Sequence, residues 1–78
     1  MSKEIKLRIE GLDGIKEFVK TVEVNGIKAN VRRGILVRNA SSLLGVLSID
    51  PSKEFILSLH SDGDFNLARS LLKKYIVG

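Results

Sequence analysis

Residues 27–51 read IKANVRRGILVRNASSLLGVLSIDP, and the changes of pattern inside that stretch decide the fold. Ile27, Ala29 and Val31 alternate with Lys28, Asn30 and Arg32, the period of a strand with one buried face. Arg32-Arg33-Gly34 reads as a tight turn, and Ile35 to Arg38 as the strand that leaves it. So short a separation makes the two strands an antiparallel hairpin. Asn39-Ala40-Ser41-Ser42 then offers several caps ahead of a short helix carrying Leu43, Leu44 and Leu47. Asp50-Pro51 stops that helix, because the residue before a proline is pushed out of helical geometry.

On the N-terminal side, Ile5, Leu7 and Ile9 alternate with Lys6, Arg8 and Glu10 to give a first strand. Gly11-Leu12-Asp13-Gly14 breaks it and offers Asp13 as a helix cap. Ile15, Phe18, Val19 and Val22 then form one apolar stripe at helical spacing, ending near Asn25-Gly26. On the C-terminal side, Phe55, Leu57 and Leu59 alternate with Ile56, Ser58 and His60. Ser61-Asp62-Gly63-Asp64 opens a last helix, with its acids where the macrodipole favours them. The apolar stripe of that helix is Phe65, Ala68, Leu71, Leu72, Tyr75 and Ile76, and Lys73 and Lys74 occupy its closing turn.

The element order is therefore βαββαβα, without repeat or linker. Each strand has one apolar face, so the helices are expected on one side of an open sheet, an α+β open-faced sandwich. The other side would carry Lys6, Arg8, Lys28, Asn30 and Arg32, with Arg38 as a further candidate.

Composition narrows the function classes. Seventy-eight residues allow a single domain with a small core. The absence of cysteine excludes disulfide scaffolds, thiolate zinc sites and thiol catalysis. One histidine, His60, leaves little for metal binding or base catalysis, and no metal or other cofactor is expected. No apolar run approaches the roughly 20 residues of a membrane span. Met1-Ser2-Lys3-Glu4 lacks the apolar core of a signal peptide, so a cytoplasmic location is expected. No set of nucleophile, base and oxyanion donors can be assembled, which points away from an enzyme.

The net charge of +4 raises the question of nucleic acid. The basic residues are scattered among Glu4, Glu10, Glu17, Glu23, Asp50 and Glu54, and no basic arm forms. Modules that bind RNA on a sheet face stack bases on aromatic side chains. Here Phe18, Phe55 and Phe65 fall on core stripes and Tyr75 on a helix. A weak nucleic-acid-binding module on the sheet face is the rival reading.

Element order alone does not separate this chain from a ferredoxin-like fold. The residues do. Asn39-Ala40-Ser41-Ser42-Leu43-Leu44-Gly45-Val46-Leu47-Ser48-Ile49 resembles the regulatory-serine segment of HPr, the phosphocarrier family of the bacterial phosphotransferase system. Ser61-Asp62-Gly63-Asp64 followed by Ala68 and Leu71 is similar to that family's last strand-to-helix junction. The spacing from Phe18-Val19-Lys20 to Ser42 fits as well, so the resemblance covers nearly the whole chain, residues 1–78, as one HPr-like domain. It implies a four-stranded antiparallel sheet in the order 1-4-2-3.

The first helix departs from the family pattern. HPr carriers have Gly-Leu-His-Ala-Arg-Pro there, where the histidine takes the phosphoryl group. This chain has Gly11-Leu12-Asp13-Gly14 running into Ile15, with Asp13 in place of the histidine and the Arg-Pro missing. His60 belongs to no matching motif. The resemblance therefore implies a protein that does not carry phosphate, similar to the histidine-free catabolite-repression paralogues of the Crh type. Those are phosphorylated on the regulatory serine by HPr kinase/phosphorylase and then dock on a transcriptional regulator; the plainer alternative is a diverged HPr paralogue with neither phosphorylation and an unknown partner.

Ser42 matches the regulatory serine, although serine is also a favoured N-cap and Ser41 beside it could serve equally. Leu43, Leu44 and Leu47 cannot all face inward on so short a helix. In the family the equivalent residues form a docking patch, with Leu43 and Leu47 the leading candidates here; completing the core is their plainer role. Asp13 and Ile15, at the start of the first helix, complete the expected docking surface. Asp13 is otherwise a cap, the Arg32-Arg33-Gly34 turn is a solvated hairpin tip, and His60 has no assigned role.

Overall fold

The computed structural model describes residues 3–77, so Met1, Ser2 and Gly78 lie outside the described residues, with part of the N-terminal stretch read above. The elements run β1 (Glu4–Leu7), α1 (Leu12–Val24), β2 (Ala29–Arg33), β3 (Leu36–Asn39), α2 (Leu43–Ser48), β4 (Phe55–Leu59) and α3 (Asp62–Leu71). A single 3-10 turn, Lys73–Tyr75, follows α3. All pairings are antiparallel and the sheet order is β1-β4-β2-β3. The chain is thus an α+β open-faced sandwich with three helices over a four-stranded sheet, in the order 1-4-2-3. No helix among the described residues is long and apolar enough to cross a membrane.

Strand alternation sets the layers. Phe55, Leu57 and Leu59 of β4 are buried, as are Ile5 and Leu7 of β1 and Ala29 and Val31 of β2. Onto this face α1 lays Ile15, Phe18 and Val22, α2 lays Val46, and α3 lays Ala68, with Ile49 and Leu72 just beyond the ends of α2 and α3. Phe18 meets Phe55 edge to face with ring centroids 6.0 Å apart, the favourable geometry for an aromatic pair. No charged or polar side chain is buried among the described residues.

Four local expectations need correction. The hairpin turn is Gly34-Ile35, not Arg32-Arg33-Gly34: Arg33 pairs with Leu36. Gly34 has φ +61°, and a glycine at the first central position with positive φ is what a two-residue hairpin loop requires. The arginines therefore stay in β2. The first helix begins at Leu12 with Gly11 at its N-cap, so Asp13 lies inside the first turn and makes no capping bond. Its carboxylate still sits where the macrodipole favours it. The last helix does not run on to Ile76. It stops at Leu71, because the chain must turn back so that Tyr75 C=O accepts from Arg8 N–H and Val77 N–H donates to Lys6 C=O. Leu71 and Ile76 consequently leave the expected stripe and are exposed. Arg38, finally, pairs with the buried Val31 and so belongs to the helix side of the sheet, not the open side.

The other helix ends behave as their residues dictate. After Val24, the N–H groups of Gly26 and Ile27 return to the carbonyls of Glu23 and Val22, a Schellman closure sealed by the buried Val22 and Ile27 side chains. Ser61 Oγ accepts from Asp64 N–H at 3.1 Å and caps α3. Past α2, Asp50 takes φ +56° ahead of Pro51, and the Ser52 hydroxyl donates to its carboxylate at 2.6 Å. That bond, with Arg33 and Lys53 nearby, holds the Asp50 carboxyl below its ordinary range.

The C-terminal turn is tied to α1 by a small polar cluster. Lys74 pairs with Glu17, and Tyr75 OH donates to the same carboxylate at 2.8 Å. The hydrogen bond from Lys74, then that from Tyr75, lowers the Glu17 pKa. Burial, then the bond to Glu17, raises that of Tyr75. A carboxylate with a lowered folded-state pKa adds stability above its unfolded value, and that stability disappears as pH falls through the folded value. Thermal melts of wild type and Glu17→Gln should therefore differ at neutral pH. The difference should close as the pH falls below the ordinary glutamate range, about 4.3; a gap that persists at lower pH would show that Glu17 acts through packing alone.

Candidate functional site

A hydrogen bond and a shared groove set α1 and α2 side by side in opposite directions. Ile9 N–H, just before α1, donates to Pro51 C=O, just after α2, at 2.8 Å. Asn39 and Ser41, just before α2, share a shallow groove with Val22 and Glu23 from the end of α1. The start of α1 thus lies beside the close of α2. On the α1 helix, Gly14 and Glu17 face Tyr75. Leu12, Val19 and Glu23 lie on the opposite flank, toward α2.

Ser42 caps the start of α2. Ser42 Oγ accepts from Gly45 N–H at 3.1 Å with the backbone extended, an N-cap geometry. Ser41 does something else: its N–H and hydroxyl both turn back to Asn39 Oδ1, at 2.9 and 2.8 Å. Of the two serines, Ser42 therefore holds the cap and is exposed to solvent. Gly45 is closely packed: a Cβ there would lie 3.2 Å from both Ser42 Oγ and Arg38 Cβ, so a neighbour would have to give by a few tenths of an ångström. The same contact puts Arg38 beside the Ser42 cap.

The leucines divide as a short helix must divide them. Leu43, expected with Leu47 to lead the docking patch, is instead half-buried against the core, and Leu44 is the residue left outside. Leu44 is 80% exposed and Leu47 38%. Leu12, at the neighbouring end of α1, is 50% exposed. Val46 and Ile49 fill the core positions that the leucines leave. The structure thus brings Leu47 and Leu12 to one end of the helical layer, with Leu44 turned outward on α2.

Ile15 is buried, so it offers no surface to a partner, and its place in the expected docking surface is corrected to the core. It sits one turn into α1 on the Phe18 side, where burial and helical phase coincide. Asp13 is exposed. It lies at the end of α1 that faces the close of α2, so the six-residue α2 separates it from Ser42 by about 9 Å of helix rise. The two helix starts are not a single site. Leu12 was missed because it precedes the expected cap, and only the true helix start at Gly11 puts it on the helix surface.

On the open sheet face, Arg32 reaches Glu4 at 2.8 Å and Lys6 reaches Glu54 at 3.7 Å. Phe18 and Phe55 are buried beneath the sheet and Phe65 packs against the same core. His60 is exposed at the end of β4 and lines the groove with Ser41. Among the described residues no group of three histidines or acids could hold a metal ion.

No protein-family model, no curated protein and no solved structure matches this chain.

Losing the Ser42 cap bond should cost about 1 kcal/mol, whereas Ser41→Ala should stay within about 0.5 kcal/mol. Urea denaturation of Ser42→Ala and Ser41→Ala checks the pair; equal losses would mean that the two serines share the cap.

Proposed function

We propose that this chain is a regulatory docking module of HPr-like type, one that carries no phosphoryl group on histidine and works by protein–protein contact. The observation that carries the reading is the outward placement of Leu44 and Leu47 on a helix whose cap is the exposed Ser42. Isolated apolar side chains on a surface need no explanation, but leucines gathered on one short capped helix are a contact surface in waiting. Leu12 extends it across the α1–α2 seam.

Ser42 supplies the means of switching. Its oxygen accepts from Gly45 N–H and is exposed, so a kinase's base could take the hydroxyl proton while the oxygen attacks the γ-phosphorus of ATP and ADP leaves. A phosphate there would add roughly −1.5 to −2 charge at pH 7 beside Leu44. Arg38, packed on the same Gly45 backbone, stands where it could pair with that charge. The fold need not change for the surface to change sign. A kinase/phosphorylase of the HPr type and a transcriptional regulator are the partners this chemistry suits.

The sheet-face alternative has less support. The Glu4–Arg32 and Lys6–Glu54 pairs neutralise part of the charge that would track a nucleic-acid backbone, and no aromatic ring in the described sheet offers a stacking surface.

The decisive experiment combines phosphorylation with docking. Incubation with ATP and an HPr kinase/phosphorylase should add one phosphate by intact mass, absent from Ser42→Ala. Leu44→Asp and Leu47→Asp, both at exposed positions, should keep the wild-type circular dichroism and lose capture of the regulator. No added mass while an HPr control is labelled in the same tube, together with undiminished capture by both variants, would sink the proposal.

A further inference from the structure

The two edges of the sheet are finished differently. Along β1 the free edge is occupied: Leu7 forms a bridge with Ile76, Val77 N–H donates to Lys6 C=O and Arg8 N–H to Tyr75 C=O. At the other edge, β3 has a neighbour on one side only.

The register shows which backbone groups β3 presents outward. Ala40 N–H donates to Ala29 C=O, so the Ala29–Ala40 pair is hydrogen-bonded. Antiparallel pairs alternate, which makes Val31–Arg38 and Arg33–Leu36 bonded pairs and Arg32–Val37 a non-bonded one. The N–H and C=O of Val37 therefore point away from the sheet. The C=O is met by the guanidinium of the next residue, Arg38, at 2.9 Å. That contact confirms the direction.

The side chains along this edge are apolar and in water. Ile35 at the turn is 98% exposed and Val37 48%, with Leu36 between them also exposed. Proteins guard an open edge with proline, charge, a bulge or a short strand. β3 is four residues long, and Ser42 N–H already meets the Asn39 C=O, but the strand has neither proline nor bulge and its one charge is Arg38, so the Val37 N–H is left outward.

We propose that β3 pairs antiparallel with β3 of a second copy of this chain, about a two-fold axis at Val37. The choice of occupant rests on self-complementarity. In that register the Val37 N–H of each copy meets the Val37 C=O of the other, a reciprocal pair that needs no foreign sequence. The two Val37 side chains stack on the open face. Leu36 stands opposite Arg38 of the other copy, so the like charges are staggered and each arginine stem lies on an apolar neighbour. Arg38 must release the Val37 carbonyl, a contact in water that is easily exchanged. The occupied β1 edge stops the sheet at two copies, giving a closed pair and not a filament. A strand of this length buries little area, so the pair is weak and forms at high protein concentration.

Sedimentation equilibrium of the whole chain, from about 10 μM to about 1 mM, tests this in the range where so small an interface associates. Wild type should rise from 8.6 kDa toward twice that mass. Val37→Pro removes only the outward N–H and spares the bonds to β2, as proline at an edge can. Val37→Lys keeps the N–H but sets two cations face to face. Both variants should remain at monomer mass with wild-type circular dichroism. A wild type that stays monomeric throughout overturns the proposal, as do two folded variants that associate as wild type does. If Val37→Pro fails to fold, Val37→Lys decides alone by the same reading.

Discussion

The rest of the molecule depends on β4, a strand in which buried and half-buried residues alternate strictly, placed between β1 and β2. Because Phe55, Leu57 and Leu59 all point one way, only one face of the sheet can be buried, and every helix must lie there. Phe55 is the contact through which this reaches α1: its edge-to-face meeting with Phe18 fixes how far along the sheet the helix sits. The placement of α1 then fixes the seam against α2. The exposed part of that seam is a consequence of the burial of the two phenylalanines.

A core this small has room for few side chains from each helix. α2 contributes Val46 from within its span and Ile49 just beyond it, and that is enough to leave Leu44 in water. The helix is held instead by its termini, through Ser42 at one end and the Asp50-Pro51 turn at the other. Stability and surface character are therefore separable in α2. Leu44 and Leu47 are available to evolve for contact, since the cap and the buried Val46 and Ile49 maintain the helix without them. Ser42 couples the two properties, being both the structural cap and the group best placed to change the local charge.

The layers were legible in the chain because they rest on periodicity. Ile5 and Leu7, Ala29 and Val31, and Phe55 to Leu59 obey period two, and Ile15, Phe18 and Val22 obey the helical period. Strand order is not written in periodicity, since alternation states which face is buried and not which neighbour lies alongside; here it came from family resemblance. Three of the local misses share one cause, which is backbone geometry set by a single glycine. Gly34 moved the hairpin turn beyond the arginines, and Gly11 started α1 before Asp13. Each glycine shifts the phase of the residues after it, so Arg38 fell on the helix side and Leu12 joined the helix surface. Whether Leu43 or Leu44 would be the exposed residue depended on the phase of a helix too short to show its own period. The 3-10 turn at Lys73–Tyr75 had no local signal, because the demand for it comes from β1, at the opposite end of the described residues.

That closing strap has a kinetic consequence. The Leu7–Ile76 bridge and the bonds beside it join the beginning of the described chain to its end, while β1 also waits for β4, which arrives late in the sequence. Only the β2–β3 hairpin can assemble from neighbours alone. Loop closure must be met before most of the sheet repays it, so folding should be slow for so short a chain and should show no stable half-formed state. A nascent chain also keeps β1 unpaired until β4 has emerged, and Lys6 and Val77 finish side by side. A circular permutant that links the two ends and opens at the Gly34-Ile35 turn would make the most remote pairing a local one.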